Sequence, residues 1–521
     1  MAVVGIDLGT TMCAVAYVDE HGRPTVLRND DGEMITPSVV FFESSDNHVV
    51  GVHARREIGV NPELVVETVK HFMGHDTEYE FHGEEFKPET ISAIILRKLI
   101  RDAEGELGER VTGAVITVPA IFGDKERNAT RAAAEIAGIR VIGLLDEPQA
   151  AAIAYAKDAP DQTFLVYDLG GGTFDITVMR KEGDRFVTLR TDGDRRLGGK
   201  DWDQEIAMHM AATFKAEHGE DPMRDPATRF KLLAAAEEVK KALTRKETTR
   251  FAVTHRGKET VGQMTRSDFE RITKPLLDQT EATTRQVVED LQQAGALPAG
   301  WRSIDRVLLV GGSSRMPMVT AMMERISDQR PEILDVDVVV AQGAALFAAN
   351  RELHGGSRPG EASSVPDVRL SAVAQQRIAS IDIERVCSFG IGTDVQDEDT
   401  GQLYHDVLIE KNTPLPATAE QVYGTVVPGQ KRVQISIFEG EGRDLSKCLP
   451  LGHGILELPP NLPKGSPILV GLGLDDESCI IVFGRDLTSG HEIHFVLERE
   501  GALDANEIAR EATRLSRSRL S

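Results

Sequence analysis

The chain has 521 residues, 41% of them hydrophobic, and a formal net charge of −24 at pH 7. The length predicts roughly two to four domains, the composition a folded and soluble protein, and the acidic balance no nucleic-acid partner, because phosphate backbones are bound by cationic side chains. The start of the chain has no signal-peptide pattern and no stretch reaches the ~20 apolar residues of a membrane span, so we expect a cytoplasmic protein with no membrane partner.

The first predicted element is a strand at residues 3–6 that leads into an Asp-Leu-Gly turn with two threonines. Apolar residues resume at 14–18, so the pattern predicts a β-hairpin with a glycine-containing turn. Glycine lets the backbone N–H groups of a turn approach phosphate oxygens, and an aspartate at a strand end can hold a water on a divalent cation. A single turn of this kind also occurs simply to reverse the chain. The turn residues are Asp7, Leu8, Gly9, Thr10 and Thr11.

From residue 1 to about 351, short β-branched runs alternate with longer helical stretches, as an α/β architecture requires. A strand at 114–118, a helix at 125–138 and a strand at 140–145 are examples. The hairpin pattern then occurs a second time, over residues 164–179. Two copies, each opening a strand-rich half, predict two pseudo-symmetric lobes that clamp one nucleotide between them. The second turn contains Asp168, Leu169, Gly170, Gly171, Gly172 and Thr173.

Two further segments carry candidate nucleoside contacts. Residues 234–244 are predicted to be helical, and the face that holds four polar residues is either solvated or grips a ribose and an adenine edge. After a strand at 307–310, the run Gly-Gly-Ser-Ser-Arg at 311–315 could pass beneath a nucleoside, although glycine pairs also occur in ordinary turns. The helical face consists of Glu237, Lys240, Lys241 and Thr244.

The pattern changes after residue 351. Residues 353–364 are rich in Gly, Ser and Pro and predict a linker, while 365–383 have only patchy helical periodicity. From 386 to about 498, short alternating segments between Gly and Pro turns predict an all-β module, with a strand at 492–497 as one example. Residues 503–520 predict one short helix with a basic end, as a frayed tail. We therefore predict four parts: an α/β domain at 1–351, an interdomain linker at 352–385, an all-β domain at 386–500 and a short C-terminal helix or tail at 501–521.

The order and spacing of several motifs closely resemble the nucleotide-binding domain of the 70-kDa heat-shock (DnaK-like) molecular chaperone family over the N-terminal two-thirds of the chain. This set of motifs separates the chain from actins and sugar kinases of the same fold. The matching runs lie at 5–11, 116–120, 146–151, 167–175, 193–194, 197–199 and 311–317. The β module more loosely resembles the family's peptide-binding β-sandwich, through residues 388–391, 411–416 and 438–441.

The resemblance implies an α/β, actin-like, two-lobed ATPase domain followed by an all-β sandwich domain. It implies an ATP-dependent molecular chaperone that hydrolyses ATP to ADP and phosphate, with Mg²⁺ as cofactor. Hydrolysis would switch the affinity of the sandwich for unfolded or extended polypeptide segments, and co-chaperones and a nucleotide-exchange factor would be further partners. A rival hypothesis is a nucleotide-dependent regulatory or interaction protein whose β-domain docks one dedicated partner.

Position by position, the resemblance also implies roles for individual residues. The catalytic group would be Lys70, Glu147, Asp168, Thr173 and Asp175. Magnesium would be positioned through its water shell by Asp7, Glu147 and Asp168. The nucleotide would be bound by Gly9, Thr10, Thr11, Met12, Gly170, Gly171, Gly172, Thr173, Gly198, Gly199, Glu237, Lys240, Lys241, Thr244, Gly311, Gly312, Ser313, Arg315 and Asp337. The peptide groove would be flanked by Tyr404 and Val426 and lined by Val433, with ordinary core positions as the alternative.

Several positions depart from the family pattern, although none removes an expected catalytic group. The family's apolar linker run is missing, and its helical lid is almost absent. We expect the short tail to pack as a single stub against the sandwich. The substituted positions are Met12, Ile121, Gly123, Asp146, Arg195 and Arg196, and the diluted linker run is Ile378, Ile381, Asp382 and Ile383.

Overall fold

The computed structural model describes residues 2–333, 335–355, 370–397, 399–476, 478–495 and 503–520. Most of the predicted 353–364 linker, residues 496–497 of the last predicted strand and the predicted boundary at 500 therefore lie outside the described residues. Within the described ranges, no helix is long and apolar enough to span a lipid bilayer.

The N-terminal part of the chain builds a large mixed sheet with helices around it. Strand β1 pairs in parallel with β10 and antiparallel with β2, which gives the order β11-β10-β1-β2-β3. Up to residue 156 the elements are β1 (Ala2–Leu8), β2 (Met12–Val18), β3 (Pro24–Val26), β4 (Thr36–Pro37), β5 (Val39–Phe42), β6 (Asn47–Val50), α1 (Val52–Glu57), β7 (Val65–Glu67), β8 (Tyr79–Phe81), β9 (Glu84–Phe86), α2 (Pro88–Leu107), β10 (Val111–Val118), α3 (Asp124–Ile136), β11 (Val141–Asp146) and α4 (Glu147–Ala156).

The next part builds a second large sheet, in the order β18-β17-β12-β13-β14-β19. Its elements up to residue 353 are β12 (Gln162–Leu169), β13 (Phe174–Glu182), β14 (Arg185–Asp194), α5 (Gly199–His218), α6 (Pro226–Arg245), β15 (Thr248–His255), β16 (Lys258–Thr265), α7 (Arg266–Gln293), β17 (Arg306–Val310), α8 (Pro317–Ser327), β18 (Glu332–Ile333) and α9 (Val339–Leu353). The sixth strand of this sheet is β19 (Asp382–Glu384).

The two large sheets repeat one arrangement. In each, an antiparallel hairpin pairs in parallel with a later strand, β1–β2 with β10 and β12–β13 with β17. Both predicted hairpins are confirmed, and so are the α/β class and the strand, helix and strand predicted at 114–145, which are β10, α3 and β11. The hairpin strands are apolar on both faces because they are buried on both faces.

Helix α9 lies between the two large sheets and joins them. Its apolar side chains share one buried cluster with strands from both sheets. The helix approaches β1 so closely that a Cβ atom at Gly5 would lie 2.1 Å from the backbone nitrogen of Ala345. A Cβ atom at Gly343 would lie 1.8 Å from the carbonyl oxygen of Ala150 in α4. Glycine at these two positions therefore sets the spacing of the helix from its neighbours.

The C-terminal part consists of two four-stranded antiparallel sheets that bury one apolar cluster between them. Their strand orders are β21-β20-β23-β24 and β22-β25-β26-β27. The strands are β20 (Ile391–Gln396), β21 (Leu403–Ile409), β22 (Ala417–Gly424), β23 (Arg432–Glu439), β24 (Leu449–Glu457), β25 (Pro467–Leu474), β26 (Ile480–Asp486) and β27 (Glu492–Phe495). We call this pair of sheets the β module.

The segment before the β module is a short helix, α10 (Ala372–Ala379), followed by β19. Ile378 and Ile381 are buried, and their carbonyl groups accept hydrogen bonds from the Asn350 amide at 2.8 and 2.9 Å. Strand β19 then adds in parallel to the edge of the second sheet, with Ile383 opposite Phe186 on β14. The diluted apolar run of the sequence is thus packed on the second sheet.

The C-terminal tail forms α11 (Ala505–Arg517) and a final strand, β28 (Arg519–Leu520). The expectation that it packs against the β module as a frayed stub is wrong. Leu515 is fully buried in the apolar cluster of the first sheet, and β28 pairs in parallel with β6. Arg97 and Arg101 of α2 donate hydrogen bonds to the carbonyl groups of Leu515 and Leu520. The amphipathic helix therefore covers the N-terminal part of the protein.

Candidate functional site

The two glycine turns face each other at the ends of the two hairpins. A Cβ atom at Gly9 would lie 2.1 Å from the carbonyl oxygen of Met12, so the first turn is as tight as its sequence predicts. A Cβ atom at Gly171 would lie 2.4 Å from Cγ2 of Thr11. The two turns are therefore in contact, and only a glycine backbone permits this approach.

The start of α5 supports the second turn from below. The Gly170 N–H donates to the Thr173 carbonyl at 3.0 Å and closes the turn, and the Gly199 N–H donates to the Gly170 carbonyl at 3.0 Å. A Cβ atom at Gly198 would lie 2.3 Å from the Gly172 nitrogen. Gly198 and Gly199 of the predicted nucleotide set thus share one backbone cradle with the turn.

A cluster of carboxylates surrounds one lysine at the base of the turns. Lys70 is buried on a 3₁₀ turn, and its Nζ donates to Oε1 of Glu147 at 2.5 Å. Glu147 is the first residue of α4, where the helix dipole favours a negative charge. Asp168 and Asp175 are buried on β12 and β13, and Asp7 is the last residue but one of β1. The structure thereby brings four of the five predicted catalytic residues and all three predicted metal positions together.

The charges in this cluster are out of balance. Burial raises the pKa of Asp7 to about 7, and the nearby charge of Glu147 contributes to that rise. Burial and Glu147 also raise the pKa values of Asp168 and Asp175 well above the usual range of an aspartate. Burial alone would lower the pKa of Lys70, but Glu147 and Asp7 outweigh it and raise the pKa. The site holds more negative than positive groups, which is the environment that a divalent cation would stabilise.

Two further observations fit a bound phosphate group and cation. The Oδ2 atom of Asp175 is buried without a hydrogen-bond partner in the described structure, while its Oδ1 accepts from the Ile121 N–H at 3.0 Å. The Thr117 hydroxyl donates to Asp7 at 3.0 Å and fixes that carboxyl group. Among the described residues, no three metal-binding side chains are close enough to ligate one ion directly. Coordination through water therefore stays a prediction.

Part of the predicted nucleoside set meets beside the start of α5. Lys240 donates to the Gly199 carbonyl at 2.7 Å and pairs with Asp203 at 2.8 Å. A Cβ atom at Gly199 would lie 2.2 Å from the hydroxyl oxygen of Ser313, so α6 and the turn after β17 converge here. The hydroxyl group of Thr244 donates to the carbonyl group of Lys240 within α6, at 3.1 Å.

The turn after β17 passes directly beside the carboxylate cluster. Gly311 has a φ of +79°, and a Cβ atom there would lie 2.4 Å from Oδ1 of Asp168. A Cβ atom at Gly312 would have no other atom within 4 Å. Arg315 forms a two-pronged ion pair with Asp337, at 2.9 and 2.8 Å. Among the described residues, neither member of this pair forms a hydrogen bond or ion pair with α6.

A cleft separates the N-terminal part of the protein from helices α5 and α6, and ion pairs bridge it. Arg55 of α1 pairs with Glu237 of α6, and Lys200 of α5 lies 3.8 Å from Glu67 of β7. Although burial raises the pKa of Glu237, the charges of Arg55 and Lys241 outweigh it and lower the pKa to about 2. A cavity of about 10 Å³ lies between these pairs and the first turn, which is room for about one water molecule.

Sequence reasoning missed two side chains of this site. Arg55 carries no local signal, since its pairing with Glu237 joins residues 182 positions apart. His71 follows Lys70 directly and lies against the second turn, where a Cβ atom at Gly172 would lie 1.5 Å from its Nε2 atom. Its position next to Lys70 was the one available signal. Lys70 follows the short strand β7.

The β module docks on both large sheets. The Ser388 hydroxyl donates to the Ala120 carbonyl after β10, at 2.6 Å. On the other side, Lys411 pairs with Asp192 of β14 at 2.9 Å. Arg385, just before the module, donates to the Leu144 carbonyl of β11 at 2.6 Å. The module therefore contacts the loops and strands that lead into the carboxylate cluster.

Three positions that depart from the family pattern meet at this interface. Arg195 pairs with Glu439 of the β module at 2.6 Å and donates to the Ile121 carbonyl at 2.8 Å. Its guanidinium group lies 4.1 Å from the ring centroid of Phe389. A Cβ atom at Gly123 would lie 2.0 Å from the Glu439 carboxylate, so glycine leaves the space that this carboxylate fills.

The predicted peptide-groove positions lie on the β module in three different surroundings. The Tyr404 ring lies 3.9 Å from the guanidinium carbon of Arg443. Val426 is exposed, and Val433 packs partly buried against the apolar cluster of the module. Their role in a groove stays a prediction.

A comparison with protein families places the whole arrangement. The family model described as Hsp70 protein matches residues 3–80 and 75–518, which is nearly the entire chain. The chain belongs to the Hsp70 family.

Proposed function

We propose that the cleft between the two glycine turns hydrolyses ATP, and that this reaction drives an ATP-dependent chaperone cycle. The N-terminal 351 residues would be an actin-like, two-lobed ATPase domain and residues 386–500 a peptide-binding β-sandwich. The observation that carries the proposal is the buried cluster of carboxylates around Lys70, between two turns whose glycines permit close backbone approach. Membership of the Hsp70 family, whose members are ATPases, supports it.

Each group of the cluster has a task in phosphoryl transfer to water. The backbone N–H groups of the two turns would bind the phosphates, as glycine turns do at anion sites. Asp7, Glu147 and Asp168 would hold Mg²⁺ through its water shell, and the bound ion would neutralise phosphate charge. Lys70 would lie near the γ-phosphate and orient the attacking water, with Asp168, Thr173 and Asp175 beside it. The unpartnered Oδ2 of Asp175 is an available acceptor for that water. Positioning and charge neutralisation then supply most of the catalysis.

The remaining predicted positions would bind the nucleoside and the polypeptide segments. Glu237, Lys240, Lys241, Thr244 and the 311–315 turn would contact the ribose and adenine. The β module would capture extended apolar segments by main-chain hydrogen bonds and side-chain pockets. Its exposed apolar side chains support this use; they include Leu403, Val422, Val426, Ile455 and Ile481. We also infer a cytoplasmic location, with co-chaperones and a nucleotide-exchange factor as partners.

The contacts between the module and the cleft support coupling between peptide and nucleotide. Ala120 and Ile121 are neighbours in the chain. The Ile121 N–H donates to Asp175 in the cluster, and the Ser388 hydroxyl of the module donates to the Ala120 carbonyl. A change at the cluster therefore reaches the module through one peptide segment. The rival hypothesis, a dedicated partner for the β module, predicts binding of one sequence rather than many in a peptide library.

Replacement of Lys70 by Ala tests the proposed reaction. We expect phosphate release from ATP to fall roughly a hundredfold, since one preorganised electrostatic group is lost, while Mg-ADP binding is largely kept. Phosphate release and fluorescent-nucleotide binding would be measured on the same preparations. Lys274→Ala, at a side chain that is 67% exposed, is the matched control and should keep wild-type turnover. Wild-type turnover in Lys70→Ala would contradict the assignment.

A further inference from the structure

His71 occupies a position beside the second glycine turn that the ATPase scheme above leaves without a role. It lies on the same 3₁₀ turn (Val69–Phe72) as Lys70, and Thr68 before it adopts a left-handed φ of 56°. The turn thereby directs Lys70 to Glu147 and His71 to Gly172. Because Nε2 of His71 lies where a Cβ atom of residue 172 would stand, this ring position requires glycine at 172.

The Nε2 atom of His71 has an unfilled hydrogen-bonding capacity. It is buried and has no hydrogen-bond partner among the described residues. A buried polar atom without a partner is costly, so such atoms in native proteins are usually completed by water or a ligand. The atom lies next to the backbone of Gly172 in the second turn. The residues on either side of Gly172, Gly171 and Thr173, belong to the predicted phosphate-binding set.

The charges that face His71 indicate which ligand would complete it. Lys70 on its own turn, Arg196 before α5 and Lys200 on α5 act on the ring, and all three are cationic. Burial, followed by the charge of Lys70, lowers the pKa of the imidazole. The nearby Gly172 backbone raises this pKa in part, although the ring nitrogen Nε2 and that backbone are not aligned as a hydrogen bond. A neutral ring with one N–H among three cations suits an anionic acceptor.

We propose that His71 is a phosphate-binding residue that donates its Nε2–H to the terminal phosphate of the bound nucleoside triphosphate. This inference rests on the proposed ATPase function and adds a substrate contact to it. The terminal phosphate is the acceptor because His71 shares its short turn with Lys70, which reaches the carboxylate cluster. A phosphate accepts hydrogen bonds only, so binding selects the tautomer with the proton on Nε2.

A consequence is that triphosphate binding takes up protons. An anion beside the ring favours its charged form, whereas Lys70, Arg196 and Lys200 oppose it. Since burial keeps the free ring neutral near pH 7, binding should protonate a fraction of the His71 rings there. Diphosphate binding, which brings no third (γ) phosphate to the ring, should take up fewer protons.

Two variants separate the hydrogen bond from the titration. His71→Leu removes both, and His71→Gln keeps an N–H donor but cannot take up a proton. Calorimetric titration with Mg-ADP and with a non-hydrolysable ATP analogue, in two buffers of different ionisation enthalpy, measures affinity and proton uptake together. His53→Gln, at a side chain that is 60% exposed, is the histidine control.

We expect His71→Leu to weaken binding of the triphosphate analogue about tenfold and of ADP less than about twofold, which is the loss of one hydrogen bond to a charged group. His71→Gln should keep most of the affinity but lose the extra proton uptake. Equal weakening of both nucleotides, or unchanged proton uptake in both variants, would overturn the inference while leaving the ATPase proposal intact. A wild-type protein that binds neither nucleotide would instead overturn the ATPase proposal.

Discussion

At the scale of single residues, the Arg55–Glu237 ion pair holds the cleft shut. Both side chains are partly buried, and Arg55 and Lys241 lower the pKa of Glu237 to about 2, so the carboxylate stays charged at any physiological pH. Because the cavity beside the first turn is limited to about 10 Å³, we expect that a nucleotide would enter or leave the proposed site only when this pair separates.

Arg55→Ala should therefore speed the release of a fluorescent ADP analogue several-fold, because one of the two ion pairs that the described residues form across the cleft is lost. Stopped-flow displacement by unlabelled ADP measures the rate. Arg56→Ala is the control, since that neighbouring side chain is exposed. An unchanged or slower release in Arg55→Ala would show that the pair does not limit opening.

His48, on β6 of the separate four-stranded sheet β28-β6-β5-β7, makes the N-terminal part of the protein sensitive to acid. The ring is 1% exposed and packs edge-on against Phe42 and Phe86, at centroid distances of 5.2 and 5.8 Å. Burial, with the charges of Arg97 and Arg514, lowers its pKa from 6.5 to about 4. The unfolded chain therefore binds a proton between these values that the folded protein does not, and the folded state loses stability as the pH falls from 6.5 towards 4.

Urea unfolding at several pH values would detect this term. The free energy of unfolding of His48→Leu should fall less steeply between pH 6.5 and 4 than that of the wild type. The control His53→Leu, at an exposed histidine, should keep the wild-type slope. Parallel pH curves for the wild type and His48→Leu would contradict the role of His48.

At the scale of elements, the C-terminal tail completes the N-terminal part of the protein. Leu515 of α11 is fully buried in the first sheet's cluster, and Arg514 lies 4.1 Å above the Phe86 ring. Leu515→Ala should lower the free energy of unfolding by about 2–5 kcal/mol, as other large-to-small core changes do. Urea denaturation measures it, with the exposed Arg510→Ala as control.

Deletion of residues 503–521 should destabilise the protein further, since β28 and the hydrogen bonds from α2 are lost with the buried leucine. Peptide release from the β module should change little, because the tail packs on β6 and on the apolar cluster beside the first sheet, and not on the module. A tail deletion that unfolds like the wild type would contradict this packing.

The elements show what a sequence can predict. The hairpins were predictable because strand periodicity and turn chemistry are local, and the glycines that permit their contact lie within the motifs. The tail's helix was predictable for the same reason, but the surface it covers was not. An apolar stripe indicates that a helix needs a partner without specifying which one. The three-residue strand β19 depends on the free edge of β14, which no local pattern records.

The candidate site, too, could be predicted from the sequence only in part. The carboxylates and glycines were identified by motif, whereas Arg55 and the pairing of Arg195 with Glu439 join positions far apart in the sequence. Gly123 illustrates the limit, since its lack of a side chain was visible in the sequence but the carboxylate that fills the space comes from the β module.

At the scale of the whole molecule, the Arg195–Glu439 pair is one of the contacts that dock the β module on the N-terminal part. Glu439 is 4% exposed, and burial raises its pKa although Arg195 opposes that shift. Arg195→Ala would leave this carboxylate buried without its ion-pair partner, which favours separation of the module. We therefore expect peptide stimulation of the ATPase, a few-fold in the wild type, to fall close to none.

Steady-state phosphate release with and without a saturating apolar peptide measures this coupling. Lys447→Ala, at an exposed side chain of the β module, should retain the wild-type stimulation. Full stimulation in Arg195→Ala would mean that the docked contact does not carry the signal.

Control of peptide binding in the β module by a nucleotide in the cleft is tested most directly by the affinity for one fluorescent apolar peptide, measured with Mg-ATP and with Mg-ADP. Coupling at the low end of the typical ~1–3 kcal/mol predicts affinities that differ about fivefold between the two nucleotides. Lys70→Ala, which should bind ATP but hydrolyse it roughly a hundredfold more slowly, keeps the ATP state populated during the measurement. Equal affinities in the two nucleotide states would contradict the claim.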